Sequence, residues 1–448
     1  MQCDLTRGSI LGGLVRFSLP LMAGNLLQQA YNLVDTIIVG KFLGSIQLAA
    51  VGSAYTLMTL LTSVLIGLCM GSGVVFSQMF GARESERMRV AMVNAFCLIA
   101  VLAVVLEIVV FLLLGPIIRW IKIPAEAIPA ITDYLQIIVL GLFATFLYNF
   151  FAAALRSVGN SAAPLYCLLF STVLNIVLDL VFVLVCGWDV AGAAAATVIA
   201  QFASAIALAI YFFRCQRQLC PARRHLRLEL GLMGRIANVS LLTSVQQSIM
   251  NFGILMIQGL VNSFGIQVMA AFTAGVKIDA LAYSPGQDFA NGFATYVAQN
   301  VGAGNAERMR KGFRTAAAMS LSFCALMSVV VGVLAEPLLK LFLDVAEAEQ
   351  IAIGAHYLRT EGACYVGISM LMLLYATYRG LEHAGMSVIL TVISLGSRVV
   401  LAYAFAPQIG LDAIWWAIPI GWFLADLVGL LRYRPLAKRD FDLKQVKQ

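Results

Sequence analysis

Charge is what this sequence has least of. Of its 448 residues only 12% are Asp, Glu, Lys or Arg, against roughly a quarter in an ordinary soluble domain. A water-soluble chain of this length could not cover its surface with so little. Histidine is nearly missing too. His225, His356 and His383 are the three present; they stand far apart and outside any HExxH, which removes the common zinc-hydrolase arrangement. No GxxxxGK[ST] occurs, so ATP is not the expected energy source. No glycine-rich dinucleotide motif follows a strand-like segment. The nine cysteines contain no CxxC. Most lie inside apolar runs (Cys69, Cys97, Cys167, Cys186, Cys324, Cys364), where they read as small buried hydrophobes rather than disulfide partners or metal ligands. The opening MQCDLTRGS lacks a basic, apolar, small-residue pattern, so no removable signal peptide is expected. With no catalytic constellation in view, neither an enzyme nor a bound cofactor is expected.

What is there is apolar. Hydrophobic residues make up 61% of the chain and the mean hydropathy is +0.90. Runs of about 20 apolar residues recur, enough to cross a hydrocarbon core of ~30 Å as helices. Twelve spans are expected. Six lie near Gly13–Val39, Ala50–Val75, Val90–Leu114, Tyr134–Leu155, Ala162–Cys186 and Val190–Phe213. Six more lie near Arg235–Val261, Met269–Ala298, Phe313–Leu334, Tyr357–Tyr378, Gly385–Ala406 and Leu411–Leu431. With the N-terminus in the cytoplasm, 23 of the 30 basic residues fall on cytoplasmic segments. Five fall outside (Lys41, Arg119, Lys122, Lys340, Arg359), and Lys277 and Arg398 lie within spans. That asymmetry is the positive-inside pattern. It accounts for the net charge of +7 without a nucleic-acid partner. The expected location is a bacterial-type plasma membrane, multi-pass, with both termini cytoplasmic.

One charged phrase occurs twice. QMFGARESERMR begins at Gln78, and QNVGAGNAERMR begins at Gln299. Gly44 and Ala49-Ala50 recur as Gly265 and Ala270-Ala271; Gly187 and Asp189 recur as Gly410 and Asp412. The chain therefore reads as a duplication of a six-span set. Six is even, so both copies keep one orientation, a parallel repeat used by transporters. The expected fold is an all-α polytopic membrane protein. Its twelve helices form two six-helix lobes related by a pseudo-two-fold axis along the membrane normal. The expected domains are an N-terminal lobe over 1–214, a cytoplasmic linker over 215–233, a C-terminal lobe over 234–434 and a basic tail over 435–448. Each phrase reads as a cytoplasmic anchor, with a gating role the alternative.

An ionised side chain in mid-membrane costs at least ~2.5–3.5 kcal/mol, so each one asks for a reason. The first span carries Asp35. The fifth carries Asn175 and Asp179, four apart and so on one helix face, and the sixth carries Thr197. These are hard oxygen donors, suited to Na⁺ or a shared proton. The alternative is acids at span ends that reach water. Pro20 removes one helix bond from the first span. Ser284-Pro285-Gly286 reads as a stronger break in the eighth. Lys277 and Asp288 flank it eleven apart, either as a binding-site charge pair or as a structural ion pair beside a kink. Glu107, Glu361 and Asp426 are lone acids, with Glu361 the best candidate among them for a functional role. The second half does not repeat the first acid set. At the offset that carries Gly187 onto Gly410, Asn175 becomes Arg398, Asp179 becomes Ala402 and Thr197 becomes Ile420. One cation site in the first half is expected, with Arg398 as a fixed counter-charge in the second.

Taken together, the twelve spans, the Pro20…Gln28…Tyr31…Asp35 set and the Gln-x-x-Gly-Ala loop resemble the multidrug and toxic-compound extrusion (MATE) family over essentially the whole chain. The resemblance implies a first-half cation site for H⁺ or Na⁺ at Asp35, Asn175, Asp179 and Thr197. Asn149, Tyr31 and Gln28 would support it, and Pro20 would serve as the bend of the first helix. Some members carry acids in the seventh and tenth helices; here the seventh span offers Gln246-Gln247 and the tenth only Glu361. The implied function is cation-coupled antiport that exports amphiphilic, often cationic, compounds by alternating access from within the membrane lipid, with the monomer as working unit. The rival reading is a lipid-linked precursor flippase of the wider superfamily. Lys277 and Arg398 as the sole mid-span cations argue against it.

Overall fold

The computed structural model describes residues 3–43, 45–120, 128–343 and 347–445. Gly44, Lys122 and the last three tail positions, Lys447 included, lie outside the described residues. The side chains of Lys41, Ala49, Ala50, Arg119 and the tail from 434 onward lie outside them too. Among the described residues every regular element is helical, and there are fifteen α-helices. They run α1 (Ile10–Phe42), α2 (Ser45–Gly81), α3 (Ser85–Leu112), α4 (Leu114–Trp120), α5 (Ile128–Val139), α6 (Gly141–Ser157), α7 (Ala162–Asp179) and α8 (Asp189–Cys215). The second set runs α9 (Leu230–Asn262), α10 (Ile266–Gly302), α11 (Ala306–Leu339), α12 (Ala348–Gly362), α13 (Tyr365–Gly380), α14 (Ala384–Ile409) and α15 (Leu411–Gln445). Apolar side chains facing lipid have no partner to seek, so helices form wherever backbone groups must bond within their own segment.

Eleven helical segments are long and apolar enough to cross a membrane. The remaining span, the tenth in chain order, is α12 with α13, which are 15 and 16 residues long and divided at Ala363-Cys364. The fourth span has a matching interruption at Leu140, between α5 and α6. Leu140 and Ala363 are repeat counterparts, at the same offset as Gly187 and Gly410. The structure differs from the sequence reading at Pro285. There α10 continues without interruption from Ile266 to Gly302. A proline inside a membrane helix frees one carbonyl, which neighbouring polar groups can satisfy. Gly286 faces α11, where a methyl group would make an ordinary contact with Cys324 Sγ at 3.4 Å. The break lies two helices later. Pro20 likewise sits inside continuous α1.

Two compact units emerge: Met1–Cys3 with Leu19–Ser244, and Asp4–Ser18 with Val245–Gln448. The division differs from the expected 215–233 linker because α9 is one uninterrupted helix whose first turns belong to unit 1. The reason is a close crossing. Gly67 and Gly71 of α2 stand four apart, as do Ser240 and Ser244 of α9. A methyl group on either glycine would run into the serine backbone opposite. Small residues four apart let helix backbones meet in lipid, where packing rather than hydrophobic exclusion holds helices together. Likewise α1 changes unit between Ser18 and Leu19, beside Pro20.

The duplication is visible in the backbone. Left-handed residues recur in pairs: Arg83 (φ 61°) with Gly304 (φ 68°), Gly159 (φ 82°) with Glu382 (φ 63°), and Gly187 (φ 66°) with Gly410 (φ 74°). The doubled phrase is a turn followed by a helix start. Glu86 and Glu307 lie in the first turns of α3 and α11, where a carboxylate complements the helix dipole, and Met88 and Met309 are buried. Each copy also grips the segment that leads into the other half's first helix. In unit 1, Gln78 Oε1 accepts from Arg235 Nη2 (3.0 Å), and Glu86 meets Arg224 and His225 at 3.0 and 2.7 Å. On α3, Asn94 Oδ1 accepts the Glu229 N–H (2.9 Å). In unit 2, Gln299 Oε1 accepts the Leu5 N–H (3.1 Å). Arg308 donates to three carbonyls, those of Leu5 (3.1 Å), Arg7 (2.8 Å) and Gly8 (2.8 Å).

Two outcomes are expected. Gly71→Val should destabilise the folded protein by about 1–3 kcal/mol, the usual cost of overpacking, read as earlier thermal unfolding in detergent. An unchanged unfolding temperature would show that the close crossing is absent in solution. Arg308→Ala should release the segment around Leu5, so limited proteolysis should cut before Ile10 faster than in the wild type while cuts elsewhere keep their rates. Equal rates at the N-terminus would contradict the grip.

Candidate functional site

The first cluster lies within unit 1, where α1, α7 and α8 contribute side chains. Asn175, Asp179 and Thr197 are buried, and Asp35 and Tyr31 are half-buried. Tyr31 Oη and Thr197 Oγ1 are 3.3 Å apart and share a hydrogen bond. With its amide nitrogen toward Asp179 Oδ2 (2.9 Å), Asn175 presents its oxygen to the Thr197 N–H (3.2 Å). The opposite amide orientation leaves a single long bond of 3.4 Å to Thr197 Oγ1 and sets oxygen against carboxylate, so the first orientation is the physical one. Asp179 closes α7 at the point where the chain widens into a π-helical turn over Leu180–Val185. Such turns recur at functional positions because they re-aim the side chains beside them. Asp35 Oδ1 and Asp179 Oδ1 are buried without a hydrogen-bond partner, and the two acids lie close enough to act on each other electrostatically. Buried carboxylate oxygens left unpaired, and like charges side by side, are costly unless a cation joins them.

The expected supporting residues divide. Tyr31 joins the cluster. The Asn149 side-chain nitrogen donates to Thr145 O (2.8 Å), one turn back on its own helix, and Gln28 is exposed. Neither is drawn to the acids among the described hydrogen bonds. Among the described residues no group of three or more His, Cys, Asp or Glu side chains could hold a metal ion. The oxygen set of Asp35, Asn175, Asp179 and Thr197 remains of the hard kind that suits a proton or Na⁺.

The expectation of no acid pair in the second half is overturned. Asp279 on α10 and Glu361 on α12 are both buried and lie against each other. Tyr365 Oη donates to Asp279 Oδ1, and Tyr357 adjoins both carboxylates. Glu361 is the last but one residue of α12, beside the interruption at Ala363-Cys364, so the second acid site also sits where a helix loses regularity. Tyr357 in turn packs edge-on against Trp415 (4.9 Å), which stacks on Phe272 (5.5 Å). Arg398 on α14 is buried over the Trp422 ring, 5.8 Å from its centroid. The Lys277–Asp288 pair does not form. Lys277 is exposed and joins no ion pair among the described residues, and eleven residues of helix separate the two by about 16 Å.

Asp279 escaped sequence reading because its importance comes from a tyrosine 86 residues away. One signal was available. Tyr357, Glu361 and Tyr365 are spaced by four, which on an unbroken helix would set an acid between two phenols on one face.

A protein-family model described as MatE matches residues 20–181 and 241–404, once in each half. The probable multidrug resistance protein YpnP of Bacillus subtilis (strain 168) is 28% identical over 436 residues, 96% of each chain. The probable multidrug resistance protein NorM of Thermotoga maritima is 24% identical over 431 residues, 93% of this chain and 89% of that one. Among solved structures, the outward-facing conformation of a multidrug resistance MATE family transporter superposes with a TM-score of 0.92 at 25% identity, covering 98% of both chains. With two matched repeats, twelve spans in two units and a transporter of the same fold along nearly its whole length, the chain belongs to the MatE family, a family of membrane transporters and not of enzymes.

Proposed function

We propose that the chain exports amphiphilic, often cationic, compounds across a bacterial-type plasma membrane in exchange for H⁺ or Na⁺, with the first-unit cluster as the coupling site. The observation that carries this reading is the pair of unpartnered buried oxygens, Asp35 Oδ1 and Asp179 Oδ1, beside Asn175 and Thr197. Without a cation the carboxylates repel. With one bound the repulsion ends, and α1 can settle against its neighbours with Pro20 as its bend. Cation and exported compound then favour different states, which is the differential affinity an exchanger requires. The relatives' names speak of multidrug resistance, which supports a broad range of compounds. The monomer serves as the working unit in this reading, since Asp35, Asn175, Asp179 and Thr197 all lie within one compact unit.

The basic residues support one orientation. A cytoplasmic position for both termini and both copies of the doubled phrase is supported by 23 of 30 basic residues falling on that side. The check is cysteine labelling. In a cysteine-free background, Ser85→Cys and Ala306→Cys should react with a membrane-impermeant reagent only after the cells are opened. Labelling of either in intact cells would reverse the assignment.

The coupling test is efflux of a cationic dye from vesicles under separately imposed H⁺ and Na⁺ gradients. One gradient should drive export in the wild type, and Asp179→Asn should abolish the driven part while the protein stays folded. In binding measurements the coupling cation should weaken dye affinity by about 5- to 150-fold, the usual span of a coupling free energy, and the dye should weaken the cation by the same factor. If the cation effect survives in Asp35→Asn/Asp179→Asn, the coupling site lies elsewhere.

A further inference from the structure

The second unit contains a partly open cavity of about 240 Å³. Three polar atoms on its lining residues are buried and have no hydrogen-bond partner: Asp279 Oδ2, Glu361 Oε2 and Arg398 Nε. The two carboxylates lie together. The guanidinium lies near enough to act on Glu361 electrostatically but closes no salt bridge with it among the described residues. It joins no ion pair among the described residues, and it lies over the face of Trp422. Leaving a buried guanidinium nitrogen and two buried carboxylate oxygens without hydrogen-bond partners is costly. Here both signs line one chamber without a salt bridge between them, and each keeps one unpartnered atom that a ligand could meet. Between them the walls are aromatic and apolar, with Phe272, Tyr283, Tyr375, Trp422 and Met372 among the lining residues. A few convergent polar groups in an otherwise apolar chamber is the usual anatomy of a small-molecule site.

We propose that this cavity is a binding site for zwitterionic amphiphiles, taking a ligand's ammonium at Asp279 and Glu361 and its carboxylate or other oxyanion at Arg398, with the ring between them on the aromatic wall. The guanidinium fork fits a planar oxyanion, and its stacking on Trp422 fixes the fork's direction. The matched repeat position in the first unit is Asn175, an amide. The two halves thus differ in kind: the first gathers oxygens for a cation alone, and the second offers both charges. Selectivity follows from the orphaned atoms. A ligand lacking one of its charges leaves a buried group unpaired, which discriminates far more strongly than a missing methylene. The proposal rests on the transport reading for its consequence. A ligand held there would be the compound exported while the coupling cation occupies the first-unit cluster.

The test is equilibrium binding to the purified full-length protein in detergent, with three probes that share one ring. These are 4-(aminomethyl)benzoate, its methyl ester, which keeps only the positive charge, and its N-acetyl derivative, which keeps only the negative one. The zwitterion should bind at least about tenfold more tightly than either derivative, as loss of a paired buried group implies. Arg398→Gln should bring the zwitterion down to the affinity of the ester and leave the ester where it was. Arg398→Lys should recover part of the difference, since it restores charge without the fork. Ester binding equal to zwitterion binding in the wild type would overturn the proposal, and that comparison needs no variant. Equal losses of ester and zwitterion in Arg398→Gln would overturn it as well. Inorganic phosphate should compete with the zwitterion only weakly; strong competition would make this a plain anion site and overturn the two-charge reading. No gradient enters these measurements. Absent export with intact zwitterion preference would therefore count against the transport reading alone, and driven export without that preference against the present proposal alone.

Discussion

Hydrocarbon offers no hydrogen bonds, and that single constraint orders the whole molecule. Any polar group placed among the spans must find its partner in the protein, since unsatisfied groups there cost several kcal/mol each. The constraint keeps α10 helical through Pro285. It also makes small residues rather than greasy ones the points of closest helix approach, as where Gly67 and Gly71 meet Ser244 and Ser240. It confines irregular backbone to a few places. The π-helical turn begins directly after Asp179, and the division of the tenth span comes directly after Glu361 and Gly362. Irregularity and buried acid coincide in both units.

The same constraint gives meaning to atoms that break it. In unit 1 the unpartnered carboxylate oxygens belong to Asp35 and Asp179; in unit 2 they belong to Asp279 and Glu361. The two sites use different helices. α1 and α7 carry the acids of the first, α10 and α12 those of the second, so the duplicated architecture was kept while its chemistry diverged. Arg398 in place of the amide of Asn175 is the clearest substitution of this kind.

Much of this is legible in the amino-acid sequence. Twelve spans, the duplication and the asymmetry of basic residues are properties of composition and period, which survive any packing detail. Asp35, Asn175, Asp179 and Thr197 can be singled out because mid-span polar residues are rare enough to be conspicuous. Where the reading misses, it misses for lack of contacts. Pro285 looks like a break because proline is a local signal, while the real interruption, at Ala363-Cys364, has no proline at all. Lys277 and Asp288 attract notice as charges on one helix, yet the acid that matters on that helix is Asp279, whose partner Tyr365 comes from another. Asn149 has a resemblance to recommend it, but its nitrogen is bonded to Thr145 O. The expected division of the chain follows the polar linker; the observed one follows the glycine–serine crossing.

Each half of this protein completes the other's unit. Residues 4–18, from the first half, are counted in the second unit, and the opening turns of α9, from the second half, are counted in the first. The second unit therefore depends on residues at the very start of the chain, held by Arg308 and Gln299. A lesion in that short arm would be felt in the fold of the half that lies some 300 positions away.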